Sequence, residues 1–411
     1  MTERDPNRRR ALTNIGGAID TEGDRADADR LARALDVPPA TDDEDDPARA
    51  HVHGFHTYPA RMHPVTAARL VAAFAAPGAR VLDPFCGSGT VLLEALIANR
   101  SATGTDLNPL AVRLAACKTR PRSAGELERL VARAAECAEH ADARRKAKAG
   151  ASRRFPQEDV ELFEPHVLLE LDSLRAKMQE VRDDPARPDL ELVLSAVLVK
   201  LSRKPGDTSE GVGQRRTRPG FAARLFAQKA HDLAARLTAF GLLLPAPAPT
   251  ATVLQDDATE LKRLPPAPVA AVITSPPYAA TYDYLAHHAL RLRWLGLDAS
   301  PLARGEIGSR AAYARLRPQD ARAEWSRELE RFFRAAGRSL PPGAPLVVMM
   351  ADSAVADVAL RADVVVAEVS RACGLRPAAR ASQPRPHFHG PTAQAFRDRP
   401  RFEHALLVRK P

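Results

Sequence analysis

Ser275-Pro276-Pro277-Tyr278 is the stretch of this sequence whose residue types can do chemistry. An aromatic amine is a poor nucleophile because its lone pair is drawn into the ring. Two acceptors held against its N–H bonds return the nitrogen toward a tetrahedral shape and free that pair for a methyl donor. The Ser275 hydroxyl and the Pro276 carbonyl are such acceptors, and consecutive prolines fix φ, so both stand in place before reaction. Tyr278 offers a ring on which a base taken out of its helix can stack, as base-modifying chemistry requires. Taken alone, these four residues also describe an ordinary turn, so a partner motif elsewhere must decide.

The elements around the tetrad place it well. Val269–Thr274 is a short apolar, partly β-branched run, which predicts a buried strand of a parallel sheet. The two prolines stop that strand, so the tetrad forms a loop at its C-terminal end, where open α/β sheets hold ligands. A second anchor is ARVLDPFCGSGTVLLEALIANR: Val81-Leu82 predicts a strand ended by Asp83, Gly87-Ser88-Gly89 a tight loop, and Thr90–Ala98 a helix whose N-terminus faces a ligand. A dinucleotide fingerprint would place a third glycine where Leu92 stands, and no Gly-Lys-Ser/Thr follows, which removes the nicotinamide and nucleoside-triphosphate readings. The next strand, Ala102–Thr105, ends in Asp106, close to the distance at which an acid after the second strand grips ribose hydroxyls; Asp106 also suits a cap for the turn at Asn108-Pro109.

DPFCGSGT followed by a separate TSPPY resembles the S-adenosylmethionine-dependent amino-methyltransferases that act on DNA bases at cytosine N4 or adenine N6. The resemblance implies a doubly wound, mostly parallel, seven-stranded α/β sheet of the class I methyltransferase type. It implies that Asp83, Phe85, Gly87 and Gly89 form the cofactor loop and that Asp106 is the ribose acid. Asp257, rather than Asp256, then matches the acid at the adenine of the cofactor. HTYPARMHP, with Tyr58, is similar to the segment that closes over the methionine part. Ser275, Pro276, Pro277 and Tyr278 match the catalytic tetrad, and serine in its first position is more usual for cytosine N4. Adenine N6 and the guanine N2 of RNA are the alternatives, and a non-catalytic nucleic-acid-binding module on a decayed fold is the alternative from outside enzymes. The implied partner is DNA with its target base turned out, and a cognate restriction endonuclease is a further expected one.

Composition agrees with such a partner. The chain has 411 residues and a formal charge of +9, and a basic surface supplies most non-specific nucleic-acid affinity. Its four cysteines show no CxxC spacing, so neither zinc nor a disulfide framework is indicated, and a reducing cytoplasm is the default. No apolar run suggests a membrane span. His51, His53, His56 and His63 fit no common ligand spacing, so no metal is expected.

Three segments are predicted. Residues 1–50, with the acidic run Asp42–Asp46, read as a mobile charged tail holding one short helix near Asp24–Leu35. Residues 51–120 and 246–411 make the catalytic domain. Residues 121–245 are an insertion of helices over Glu126–Ala149, Val160–Arg182, Leu190–Leu201 and Phe221–Phe240, a candidate recognition region. Between its last two helices, Lys200 to Lys229 carries eight basic residues against two acids. Arg215, Arg216, Arg218, Arg224 and Lys229 are the expected phosphate contacts. Tyr282, Tyr284 and His287 are placed to line a base pocket. A helix over Glu324–Ala336, a strand over Pro345–Met350, a helix over Val364–Cys373 and an antiparallel pair, Leu375–Ala381 with His404–Val408, complete the reading. The basic residues between that pair form a flexible loop.

Overall fold

The computed structural model describes residues 16–38, 46–208, 211–387 and 390–411. Its strands in chain order are β1 Asp20–Gly23, β2 Arg80–Asp83, β3 Ser101–Asp106, β4 Ala251–Gln255, β5 Ala271–Thr274, β6 Pro345–Ala351, β7 Ser353–Val355, β8 Val358–Leu360, β9 Arg376–Pro384 and β10 Phe402–Arg409. One sheet has the order β1-β9-β10-β6-β5-β2-β3-β4, while β7 and β8 form a separate hairpin. Strands β2 to β6 pair in parallel, and β10 runs antiparallel to both β6 and β9. A reversed last strand slipped between β6 and β9 gives the doubly wound class I methyltransferase sheet, as expected.

After β1 at the far edge, the chain passes to β2, steps out through β3 and β4, then returns to the other side of β2 as β5. Between β2 and β5 the winding reverses, and the loops leaving their C-terminal ends splay apart to open a crevice. Those two loops are Pro84–Gly89 and Ser275–Tyr278. Alternation along the strands sends side chains to opposite faces. Leu82 and Val348 pack with Trp325, Phe332 and Val365 on one side. Val81 and Val347 pack with Leu31, Leu70 and Leu92 on the other.

Two expectations about organisation change. The sheet has eight strands rather than seven, because part of the supposed tail belongs to it. Strand β1 pairs with β9, and the helix Arg25–Leu35, capped by the Asp24 side chain, buries Leu31 and Leu35. This covers an edge that β9 would otherwise leave open. Residues 39–45, and with them most of the acidic run, lie outside the described residues.

The insertion also differs in detail. Its helices are Ala124–Lys146, Gln157–Leu162, Pro165–Glu180, Arg187–Leu201 and Phe221–Gly241. The single helix expected over Val160–Arg182 breaks at Phe163 and Glu164, because Pro165 forces the residue before it into an extended conformation, ψ 145° at Glu164. These helices share one apolar core with Leu93, Leu96, Leu110 and Leu114 of the sheet side and with Leu290, Leu292 and Trp294. The insertion is therefore packed against the helices that flank the sheet. Among the described residues no helix is long and apolar enough to cross a membrane.

Candidate active site

The two loops at the switch point are tied together across the sheet. Asp83, buried at the end of β2, accepts a hydrogen bond from the Thr274 hydroxyl at the end of β5 at 2.5 Å and another from the Phe85 amide at 3.2 Å. Burial pushes the Asp83 carboxyl up to about 7, with these hydrogen bonds opposing it. Gly87 and Gly89 have φ of +50° and +89°, so the loop takes a path that other residues strain to follow. A Cβ at Gly87 would lie 3.2 Å from the Tyr58 ring, narrowing the cleft between them. The Gly87 amide donates to Asp106 Oδ2 at 2.9 Å and the Asn108 amide to Asp106 Oδ1 at 2.8 Å. Burial raises Asp106 to about 6 despite both bonds.

Three adjoining cavities meet at Ser275. One is lined by Tyr58, Phe85, Gly87, Asp106, Asp257, Ser275 and Pro277. A second, against the glycine loop, is lined by Tyr58, Asp83, Phe85, Gly87 and Ser275. The third, of about 220 Å³, is lined by Ser275, Pro276, Tyr278, Tyr282 and Tyr284 with Met62 and Met349. The residues expected to hold a cofactor and those expected to hold an amine thus converge, although Asp83 and Thr274 lie 191 residues apart in sequence. Gly89 is the exception: it lines none of these cavities and instead starts the helix Thr90–Ile97, where a Cβ would meet Ala115 at 3.2 Å. Asp257 faces its cavity, whereas the Asp256 carboxylate is used by the Asp257 and Arg263 amides.

The insertion builds part of this site indirectly. His56 hydrogen-bonds the Ser195 hydroxyl at 2.9 Å, and the buried Arg291 donates to the Thr57 hydroxyl at 3.0 Å and to the Ser195 carbonyl at 3.2 Å. Between those anchors Tyr58 stacks on His288 with ring centroids 4.8 Å apart and receives a hydrogen bond from Asn108 at 3.3 Å. The helix Arg187–Leu201 therefore buttresses the segment facing the glycine loop. No motif signalled this, because the contact spans more than a hundred residues.

Other expected residues fall out differently. Tyr282 and Tyr284 line the third cavity, while His287 sits behind Tyr282 with ring centroids 6.0 Å apart. Arg215, Arg216, Arg218 and Arg224 are exposed. Lys229 leaves the phosphate set: its ammonium donates to Asp232 at 2.7 Å and lies 5.0 Å over the Phe55 ring. The potential ligand atoms of His51, His53 and Glu94 lie within 4.8 Å of one another, a grouping that spacing hid because Glu94 comes from another helix. His53 is already hydrogen-bonded to Glu94 at 2.7 Å. Burial first, then the charges of Lys118 and Arg61, hold His53 well below the imidazole range, and those cations oppose a dication.

Residues that sequence reasoning missed include Asn108, Leu302, Glu306 and Ile307 in the Asp106 cavity. In the tyrosine-lined cavity they include Arg385, Arg401 and Glu403. Each comes from a loop or strand end with no motif of its own, so only the fold reveals them.

Comparison with known proteins bears on the first half of this site. Residues 37–116 match a family model described as DNA methylase. The match is confined to that segment, about a fifth of the chain. The matched segment contains Tyr58, Asp83, Phe85, Gly87 and Asp106, and S-adenosylmethionine is the cofactor that methylases of this kind use. The type II methyltransferase M.MvaI of Kocuria varians is 38% identical over 82 residues, which is 19% of this chain and 18% of that protein. The chain thus spans less than a fifth of the curated relative it matches. Among solved structures, the rRNA methyltransferase aviRa from Streptomyces viridochromogenes overlays with a TM-score of 0.34 at 15% identity, covering 92% of this chain and 96% of its own. TrmN from Thermus thermophilus gives 0.30 at 13% identity, covering 85% and 49%. At those scores the overlays carry no assignment.

Proposed function

We propose that this protein is a DNA methyltransferase that transfers a methyl group from S-adenosylmethionine to an exocyclic base amine, cytosine N4 in the first place. The observation that carries the reading is the position of Ser275 at the junction of three cavities, between the Asp83–Asp106 loops and the tyrosine-lined pocket. The donor set suits the cofactor. Asp106 offers carboxylate oxygens to a ribose diol, Asp257 is an acceptor for an adenine amine, and the rings of Tyr58 and Phe85 with Asp83 favour a cationic group.

S-adenosylmethionine, when bound, supplies an electrophilic methyl group. The chain's own residues do the rest. Ser275 Oγ and the Pro276 carbonyl accept the two amine N–H bonds and turn the nitrogen lone pair toward the cofactor side. Pro276 and Pro277 keep those acceptors from relaxing, and Tyr278 stacks on the base. Cys86 takes no part as a nucleophile: it is buried within the loop, and burial with the nearby Asp106 and Asp83 charges pushes its thiol well up.

DNA phosphates would be held by the loop carrying Arg215, Arg216 and Arg218, with Arg224 at the start of the following helix. Support comes from the near end of that loop, where Lys204 and Asp207 are charged neighbours of His287, which itself touches Tyr282. Purified protein incubated with tritiated S-adenosylmethionine and either DNA or tRNA, followed by identification of the modified nucleoside, tests the reading. N4-methylcytosine in DNA is the expected product; label in tRNA alone would refute the DNA assignment.

A further inference from the structure

The tyrosine-lined cavity is also lined by charged side chains that stacking of a neutral base does not need. Arg385 donates through Nε to Glu403 Oε2 at 2.8 Å, and the two side chains are 3% and 12% exposed. Arg385 Nη1 is buried without a hydrogen-bond partner. Arg401 stands beside it, its Nε donating to the Asp352 carbonyl at 2.9 Å, and the Arg385 amide donates to the Arg401 carbonyl at 2.8 Å. Arg385, Arg401 and Glu403 line the same cavity as Ser275, Pro276 and Tyr278. A buried donor without an acceptor is costly, and Arg385, a residue that lines this cavity, carries one.

The bases differ in what they bring. Once the amine is fixed at Ser275 and Pro276, the edge running away from it is set by covalent structure. Cytosine presents ring N3 and then the O2 carbonyl, two acceptors in succession. Adenine presents N1 and then a C–H. Guanine, held by its N2 amine, presents an N–H on the side that leads to its O6. We propose that Arg385 selects cytosine by donating to this N3/O2 edge, with Glu403 as the positioning residue that holds its Nε side. The assignment rests on the methyltransferase reading above and adds to it the group that chooses the base. Adenine leaves one guanidinium donor against a C–H, and guanine sets a donor against a donor. Loss of one buried hydrogen bond of this kind corresponds to roughly a 10- to 100-fold preference.

The test uses the full chain, tritiated S-adenosylmethionine and unmethylated genomic DNA, with products resolved as N4-methylcytosine and N6-methyladenine. Wild type, Arg385→Met, Arg385→Lys and Glu403→Gln are compared, and cofactor affinity is measured by calorimetry to show that each variant keeps a folded cofactor site. The expected result is N4-methylcytosine from wild type. Its ratio to N6-methyladenine, and kcat/KM on DNA, should fall at least tenfold in Arg385→Met. Glu403→Gln should fall less, and Arg385→Lys should recover part of the loss. A variant that binds cofactor as wild type does and keeps both the ratio and the rate overturns the assignment. If Arg385→Met does not fold, an unchanged ratio in Arg385→Lys and Glu403→Gln overturns it equally. N6-methyladenine as the main wild-type product overturns the role of Arg385 while leaving the methyltransferase reading intact. Bound cofactor with no methylated nucleoside overturns both.

Discussion

Replacing Asp106 by asparagine would separate the job its carboxylate does in the free protein from the ribose-binding job proposed for it. In the free protein its two oxygens accept from the Gly87 and Asn108 amides at 2.9 and 2.8 Å. An asparagine has one acceptor oxygen, so its NH2 must face one of those amides, donor against donor. That loss is already present without ligand and should appear as a Tm lower by a few degrees. The second job is to accept from the ribose diol, and a charge-assisted hydrogen bond is worth about 1.5–3 kcal/mol. At 1.36 kcal/mol per decade the dissociation constant for S-adenosylmethionine should rise roughly 10- to 150-fold. Titration calorimetry across pH makes the assay stricter. Asp106 is held near 6 and Asp83 near 7 by burial, and protonation removes acceptors, so wild-type affinity should fall as pH drops from about 7 to 5. In Asp106→Asn only the Asp83 step remains, and the curve should be shallower below pH 6. Stability runs the other way. A carboxyl raised in the folded state binds its proton more tightly there than in the unfolded chain, so raising pH from the ordinary carboxylate value of 3.8 to about 6 costs stability. An unchanged dissociation constant, or the same pH curve in variant and wild type, refutes the ribose role.

Three further outcomes are expected. Tyr278→Ala should cut kcat/KM on DNA roughly 5- to 150-fold, the worth of one base-stacking contact, while calorimetry shows nearly unchanged cofactor affinity; a collapse of that affinity would mean the ring belongs to the cofactor side. Gly87→Ala forces a side chain onto φ +50° and sets its Cβ 3.2 Å from the Tyr58 ring, so both Tm and cofactor affinity should drop, and thermal melts with and without cofactor will show whether they do. Changing Arg215, Arg216 and Arg218 together to glutamine should weaken DNA binding and lower the slope of log K against log salt by up to about three; an unchanged slope removes the loop from the interface.

The two loops that meet in the crevice were legible in the sequence because each is local. Asp83 through Gly89 and Ser275 through Tyr278 are contiguous, and each ends a strand whose apolar run announces itself. Proline stops and left-handed glycines are properties of single residues, so no fold is needed to read them. The helices Pro64–Phe74, Thr90–Ile97 and Phe221–Gly241 follow their apolar spacing nearly to the residue. Only the tertiary structure decided what depends on contacts between distant segments. β1 escaped detection because a four-residue polar strand becomes one only by pairing with β9. The sequence showed the insertion as helices, but its shared core with Leu110, Leu114 and Trp294 exists only in the fold. Lys229 changed role because Asp232 and Phe55 surround it. Arg385 and Glu403, 18 residues apart on either side of a loop, gained theirs when β9 and β10 paired and brought them to the mouth of the cavity beside Ser275. Local covalent constraints write a motif into the chain, whereas burial and charge pairing exist only after distant parts have met.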